Sequence, residues 1–215
     1  MQMTSAEYVD CLRAAATLLN ENKDYITELD AATGDGDHWA NMNMGFVRLM
    51  EMSEELAALP VSDLFKKIAM TMMSVIGGSA GVLYGSAYLK AAAAAKDAQA
   101  IDLPLLRDIL RAQLEGIMSR GKAQPGFKTM VDPLHQAVDA MERAMEEGKN
   151  EAEVLSAMRD GAEAGMKATA DMEAMRGRAC YQPDKGVGHL DPGAVTMWYQ
   201  LQTLADFLLK EGNAV

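Results

Sequence analysis

Apolar residues in this chain recur at spacings of three and four, and no segment reads as a strand. Tyr8, Leu12, Ala15 and Leu19 share one helical face near the start, and Trp198, Leu201, Leu204 and Phe207 share one near the end. That period gives each segment a single apolar stripe, which must be buried against other helices. Similar amphipathic segments joined by short links predict an all-α fold, an antiparallel up-and-down bundle of about eight helices. Scarce aromatics (6 %) and plentiful Ala and Met agree, because those residues favour helix over strand. The eighteen methionines suit an adaptable interior.

Local signals place the helix ends. Thr4 and Glu7 form a capping box, and Asn150 with Glu153 caps a later helix. Asp102 with Pro104 opens a helix that closes near Gly121, and Asp191-Pro192 opens the last. Between these, the pattern predicts a short helix over 24–29, a long one over about 41–56, and another from a Ser62 cap to about Val75. Further helices are expected over about 80–96, 129–147 and 150–175. Nothing resembles a linker, so residues 1–215 are expected to form one domain.

Charge and cysteine usage narrow the function. A net charge of −11 with no basic patch argues against nucleic acid and anionic membrane surfaces. No signal peptide or transmembrane stretch is evident. Cys11 and Cys180 have no metal-ligand spacing and read as free thiols, so the expected location is the cytoplasm.

Chemistry concentrates in the segments between helices. Asp30, Asp35 and Asp37 place three carboxylates in eight residues, beside Gly34, Gly36 and His38. Such a cluster suits a hard cation such as Mg²⁺ or Ca²⁺, or else an acidic loop with an Asx turn and a helix cap. An EF-hand is excluded, because counting twelve from Asp30 or Asp35 reaches Asn41 or Phe46 rather than Glu. Gly77-Gly78-Ser79-Ala80-Gly81 precedes a helix, so it suits an anion at a helix N-terminus or a tight interhelical turn. Gly121 to Thr129 is not a P-loop, since Phe127 separates Gly126 from Lys128. The stretch Gly177 to Gly193 is Gly-rich and contains Arg178 and His189, with Asp191 an expected N-cap. His135 reads as structural or solvent-facing. No Ser-His-Asp or Cys-His arrangement emerges.

Jointly, these segments resemble the L subunit of dihydroxyacetone kinases over essentially the whole chain. The resemblance is carried by Leu29-Asp30, Gly34-Asp35-Gly36-Asp37-His38, Asn41-Met42, Gly45-Phe46, Gly77 to Gly81 with Tyr84-Gly85, Ser119 to Ala123, Lys128-Thr129-Met130, Gly177-Arg178-Ala179 and Gly188 to Ala194. It implies a barrel-like helical bundle in which Asp30, Asp35 and Asp37 hold two Mg²⁺ ions on the phosphates of ADP or ATP. It also implies phosphate contacts from His38, Asn41, Ser79 and Ala80. Contacts around base and ribose fall to Gly121, Met130, Arg178, Asp191, Pro192 and Gly193. The ketose sits on a separate K-type subunit, and no residue of this chain is assigned as catalytic.

Family members take phosphate either from ATP, within a single longer chain, or from the phosphotransferase system through an M-type subunit with ADP as bound coenzyme. A domain that begins near Met1 and stops at Val215 favours the second form, and the reading admits a homodimer. An ATP-dependent kinase for another small ketose, or a nucleotide-state sensor docking on a transcription factor, stays open. Three residues depart from the family pattern: Trp39 where Gly is usual, Phe127 where Asp is common, and Val82 in place of a frequent Pro.

Overall fold

A computed structural model describes residues 1–212, in which ten α-helices and two short 3-10 helices account for the named elements. The helices are α1 (Ser5–Glu21), α2 (Lys23–Thr33), α3 (His38–Glu51), α4 (Ser53–Ala57), α5 (Val61–Val75), α6 (Gly78–Ala95), α7 (Leu103–Gly121), α8 (Val131–Glu146), α9 (Glu151–Ala168) and α10 (Pro192–Gly212). No strand occurs among the described residues; a single antiparallel bridge joins Met3 to Ile101. The all-α expectation holds.

The chain divides into two compact units. The first comprises Met1–Thr17 and Asn41–Lys122. Here α6 packs against both α5 and α7. Its interior is built from Leu49, Leu56, Leu64, Phe65, Ile68, Met72, Ile109 and Ile117, all essentially buried. The Tyr8 ring meets Phe65 edge-on, with centroids 5.1 Å apart, and the Tyr8 and Tyr88 hydroxyls lie within 3.3 Å. Burial pushes the Tyr88 phenol and the Cys11 thiol up to about 12 each, so both stay neutral.

The second unit comprises Leu18–Ala40 and Ala123–Val215. In it α8 lies along α9, and α10 packs on α9, α8 and α2. Val131, Leu134, Met141, Val154, Met158 and Val195 fill its interior. The Tyr199 hydroxyl donates to Asn22 Oδ1 at 3.1 Å, and Arg159 reaches Asp206 at 3.1 Å.

Helix ends with local signals match their reading. Thr4 and Glu7 bond reciprocally, Asn150 and Glu153 form a complete capping box, and Asp102 accepts from Leu105 N. Departures occur where tertiary contacts intervene. The long helix expected over 41–56 begins at His38 and breaks into α3 and α4. Ser62 is not a cap, because Pro60 occupies that position and the Ser62 hydroxyl donates to Ala92 O at 3.0 Å. The helix expected to reach Met175 stops at Ala168 and gives way to a 3-10 turn, Thr169–Asp171. There the Thr169 carbonyl is taken by a buried lysine and its hydroxyl by a distant backbone N–H.

Candidate functional site

In the second unit, α2 sets Asp30 on its inner side, 8 % exposed, and the segment between α2 and α3 returns Asp35 and Asp37 toward it. One oxygen from each of the three carboxylates lies within 4.8 Å of the others. Gly34 makes this approach possible. A Cβ there would stand 2.6 Å from Asp30 Oδ1, so any other residue would crowd that oxygen. The second oxygen, Oδ2, accepts the His38 backbone N–H at 3.0 Å. Three anions this close repel one another, and Arg178 Nη2 compensates in part, 2.5 Å from Asp35 Oδ2. Only hard oxygen donors converge here. The set therefore fits Mg²⁺ rather than a metal that selects thiolate or imidazole.

His38 follows directly. Burial lowers its imidazole pKa from the ordinary value, with Asp30 and Asp37 opposing. A neutral ring can donate at one nitrogen and accept at the other. Its Nε2 lies 2.9 Å from the hydroxyl of Thr196, a fully buried residue on α10, and that hydroxyl also lies 3.2 Å from Gly193 O. Next in sequence, Trp39 packs under Lys23 Nζ, 4.7 Å from the ring centroid. Its buried indole Nε1 has no hydrogen-bond partner.

The same unit brings together Met130 and the Asp191–Gly193 turn. A Cβ at Gly193 would sit 3.8–3.9 Å from Met130, an ordinary contact. Asp191 is the N-cap expected from the sequence, its Oδ2 accepting from Ala194 N at 2.7 Å. Burial, with Asp132 and Asp30 adding to it, pushes the Asp191 carboxyl up to about 7 against the opposing effects of the cap bond and Lys128.

Beneath this turn lies a hub that the sequence does not announce. Lys128 is 1 % exposed, and its ammonium donates to the carbonyls of Thr169 and His189. The Thr169 hydroxyl accepts from Asp191 N at 3.1 Å. Asp132, also buried, clamps the preceding turn by accepting from Gly126 N at 2.6 Å and Thr129 N at 2.7 Å. Asp132, Lys128, Thr169 and Thr196 are absent from the sequence-predicted site residues. Their partners lie up to 158 positions away, and the single available signal was Lys128-Thr129-Met130 as a conspicuous tripeptide.

In the first unit, Asn41 lies on α3 and Ser79 and Ala80 on the first turn of α6. Gly77, at the cap position, admits the Asn41 amide, whose Oδ1 would be 2.7 Å from a Cβ there. No side chain hydrogen-bonds the opening N–H groups of α6, and Gly78 and Ser79 are exposed. Gly121 ends α7, ahead of Lys122 in the left-handed conformation. Of the departures, Phe127 is covered by Arg176, 5.6 Å from its ring, and Val82 is exposed. His135 lies 3.4 Å from Asp139 on one face of α8. No described helix is long and apolar enough to cross a membrane.

Comparison with known proteins adds an independent line. The DAK2 domain family model matches residues 32–206. The ADP-binding subunit DhaL of the PEP-dependent dihydroxyacetone kinase of Escherichia coli is 33 % identical over 95 % of this chain and 98 % of its own length. The ADP-binding subunit DhaL of the PTS-dependent dihydroxyacetone kinase of Lactococcus lactis is 40 % identical over 87 % of this chain and 90 % of its own. The crystal structure of the dihydroxyacetone kinase of C. freundii in complex with AMP-PNP and Mg²⁺ shares the fold, with a TM-score of 0.70 at 23 % identity over 96 % of this chain. This chain spans about a third of that kinase, 34 % of its length.

Proposed function

Because the chain belongs to the DAK2 domain family, we propose that it is the nucleotide-binding subunit of a dihydroxyacetone kinase, with the acceptor ketose held on a separate K-type subunit. Its matched relatives are PEP- or PTS-dependent ADP-binding subunits at 33 % and 40 % identity. That favours ADP as a bound coenzyme, with phosphate delivered by an M-type subunit of the phosphotransferase system. Free cysteines, one of them buried, agree with work in the cytoplasm.

The convergence of Asp30, Asp35 and Asp37 within 4.8 Å carries the reading. These residues would hold Mg²⁺, two ions in this proposal, which supplies charge neutralisation to the polyphosphate when bound. His38, oriented by Thr196, is assigned to a phosphate oxygen, together with Asn41, Ser79 and Ala80. Arg178 offers a planar fork able to turn from Asp35 to a phosphate or ribose. Met130, Gly121, Asp191, Pro192 and Gly193 are assigned to base and ribose. The whole chain serves as one nucleotide-binding domain. No nucleophile is assigned, because phosphoryl transfer is achieved mainly by positioning and charge stabilisation.

Calorimetry with Mg-ADP tests this. Asp35→Asn and Asp37→Asn should each weaken binding by about tenfold or more, because the cation loses a charged ligand. Unchanged affinity in both variants would remove the metal assignment. Triose phosphate formation from dihydroxyacetone should require added K-type subunit, and robust turnover by this chain alone would refute the division of labour.

A further inference from the structure

We propose, on the strength of the nucleotide-binding reading, that Lys128 is a positioning residue that holds Met130 and the Asp191–Gly193 turn in register for the base and ribose. Lys128 bonds backbone carbonyls and none of the metal-side carboxylates. Its effect is therefore on the nucleoside side of the site.

The case begins with where the ammonium lies. A lysine 1 % exposed has lost its hydration, and burial lowers its pKa despite the opposing charges of Asp191, Asp171, Asp132 and Asp184. A chain needing only volume here would use Leu or Met. What Lys supplies is a multiple donor on a long stem. With it, one group bonds Thr169 O, 41 positions away, and His189 O, 61 positions away. Thr169 then passes the constraint to Asp191 N, and Gly188 N closes on Ala170 O at 2.8 Å.

The backbone agrees. Lys128 has φ 59°, a left-handed conformation that a residue with a Cβ rarely adopts, and Asp132 pins the residues on both sides of it. Strain of this kind persists only where surrounding structure enforces it. Here it aims the ammonium inward and leaves Met130, two residues on, against Gly193. The Lys128 stem also closes the loop bearing Arg178. A Cβ at Gly186 would stand 3.3 Å from Lys128 Cε, from Ala179 Cβ and from Thr33 Cγ2.

Lys128→Met keeps the stem and removes the donors, and Lys128→Arg restores donors. Mn²⁺ affinity measured without nucleotide reports the carboxylate cluster, and ADP affinity reports the whole site. Lys128→Met should leave Mn²⁺ binding within about twofold and weaken ADP by about tenfold or more, since even 1 Å misplacement is costly. Amide exchange at Gly188 and Asp191 should accelerate, and Lys128→Arg should recover part of the ADP affinity. Unchanged ADP affinity overturns the proposal, as does an equal loss of Mn²⁺ and ADP, which would mark a general structural role. Should Lys128→Met fail to fold, Thr169→Val removes the hydroxyl that accepts from Asp191 N. It should weaken ADP severalfold with Mn²⁺ binding intact, and no change there overturns the proposal. Wild-type protein that binds neither Mn²⁺ nor ADP overturns the nucleotide reading and this one together. Normal wild-type binding with an indifferent Lys128→Met overturns this one alone.

Discussion

Helices α6 and α10 both start from glycine-rich segments, and in the sequence the two starts look alike. Their chemistry is opposite. α6 opens at Gly78 with no side-chain cap and with Gly78 and Ser79 exposed. α10 opens at Pro192 with its first-turn N–H at Ala194 bonded to Asp191, on a residue with no exposed surface. A helix N-terminus carries unsatisfied donors and a favourable dipole, and something must meet them. α10 meets them with its own carboxylate. α6 leaves them to solvent or to an incoming anion. Anion binding is thus a property of what a helix start lacks, and glycine content alone does not reveal it.

The largest effect expected from this contrast is on stability. Asp191→Ala should cost about 1–2 kcal/mol through the lost cap. For a chain of this length that lowers Tm by roughly 2–8 °C. Ser79→Ala should leave Tm nearly unchanged, because Ser79 caps nothing. Thermal unfolding followed by circular dichroism compares the two. Equal losses would erase the distinction between a self-capped and an open start.

A smaller effect concerns ligand affinity. Ser79→Ala should weaken Mg-ADP by the value of one neutral hydrogen bond, about 0.5–1.5 kcal/mol. Gly77→Ala should weaken it comparably, because its Cβ would displace the Asn41 amide from a position 2.7 Å away. That amide is the end of a flexible side chain, so the fold should tolerate the change. Unaltered affinity in both variants would mean that the open start of α6 has no ligand.

The contrast also shows what the sequence can disclose. Thr4–Glu7, Asp102–Leu105 and Asn150–Glu153 were legible because donor and acceptor lie three residues apart. The carboxylates of Asp30, Asp35 and Asp37 were legible because one short turn carries all three. The end of α9 was not. Its pattern continues past Ala168, but Thr169 is claimed by Lys128 and by Asp191 N, partners 41 and 22 positions away. Ser62 was misread for the same reason, its hydroxyl being used on Ala92, 30 positions distant. Local chemistry is written in order along the chain, whereas a buried polar hub exists only once the chain has folded.

The last effect is the pH dependence of the capped start. Burial raises the Asp191 carboxyl from 3.8 to about 7. The folded state therefore binds the Asp191 proton more tightly than the unfolded state does. Between those two values the folded state holds more protons, so this group makes stability fall as pH rises from about 4 to about 7, with no further change above. His38 acts in the opposite sense. Burial lowers its pKa, so the unfolded state binds that proton more tightly, and its contribution rises with pH up to about 6.5 and then levels off. The two windows overlap, and a raw stability curve would mix them. The difference between wild type and Asp191→Asn separates them, because His38 cancels. That difference should show the variant gaining on wild type as pH increases from 5 to 7, measured by urea denaturation at constant ionic strength. No counterpart should appear in Ser79→Ala, since α6 begins with no titrating cap. A flat difference across that range would mean that Asp191 ionises like an ordinary surface carboxylate and that the start of α10 is as open to water as that of α6.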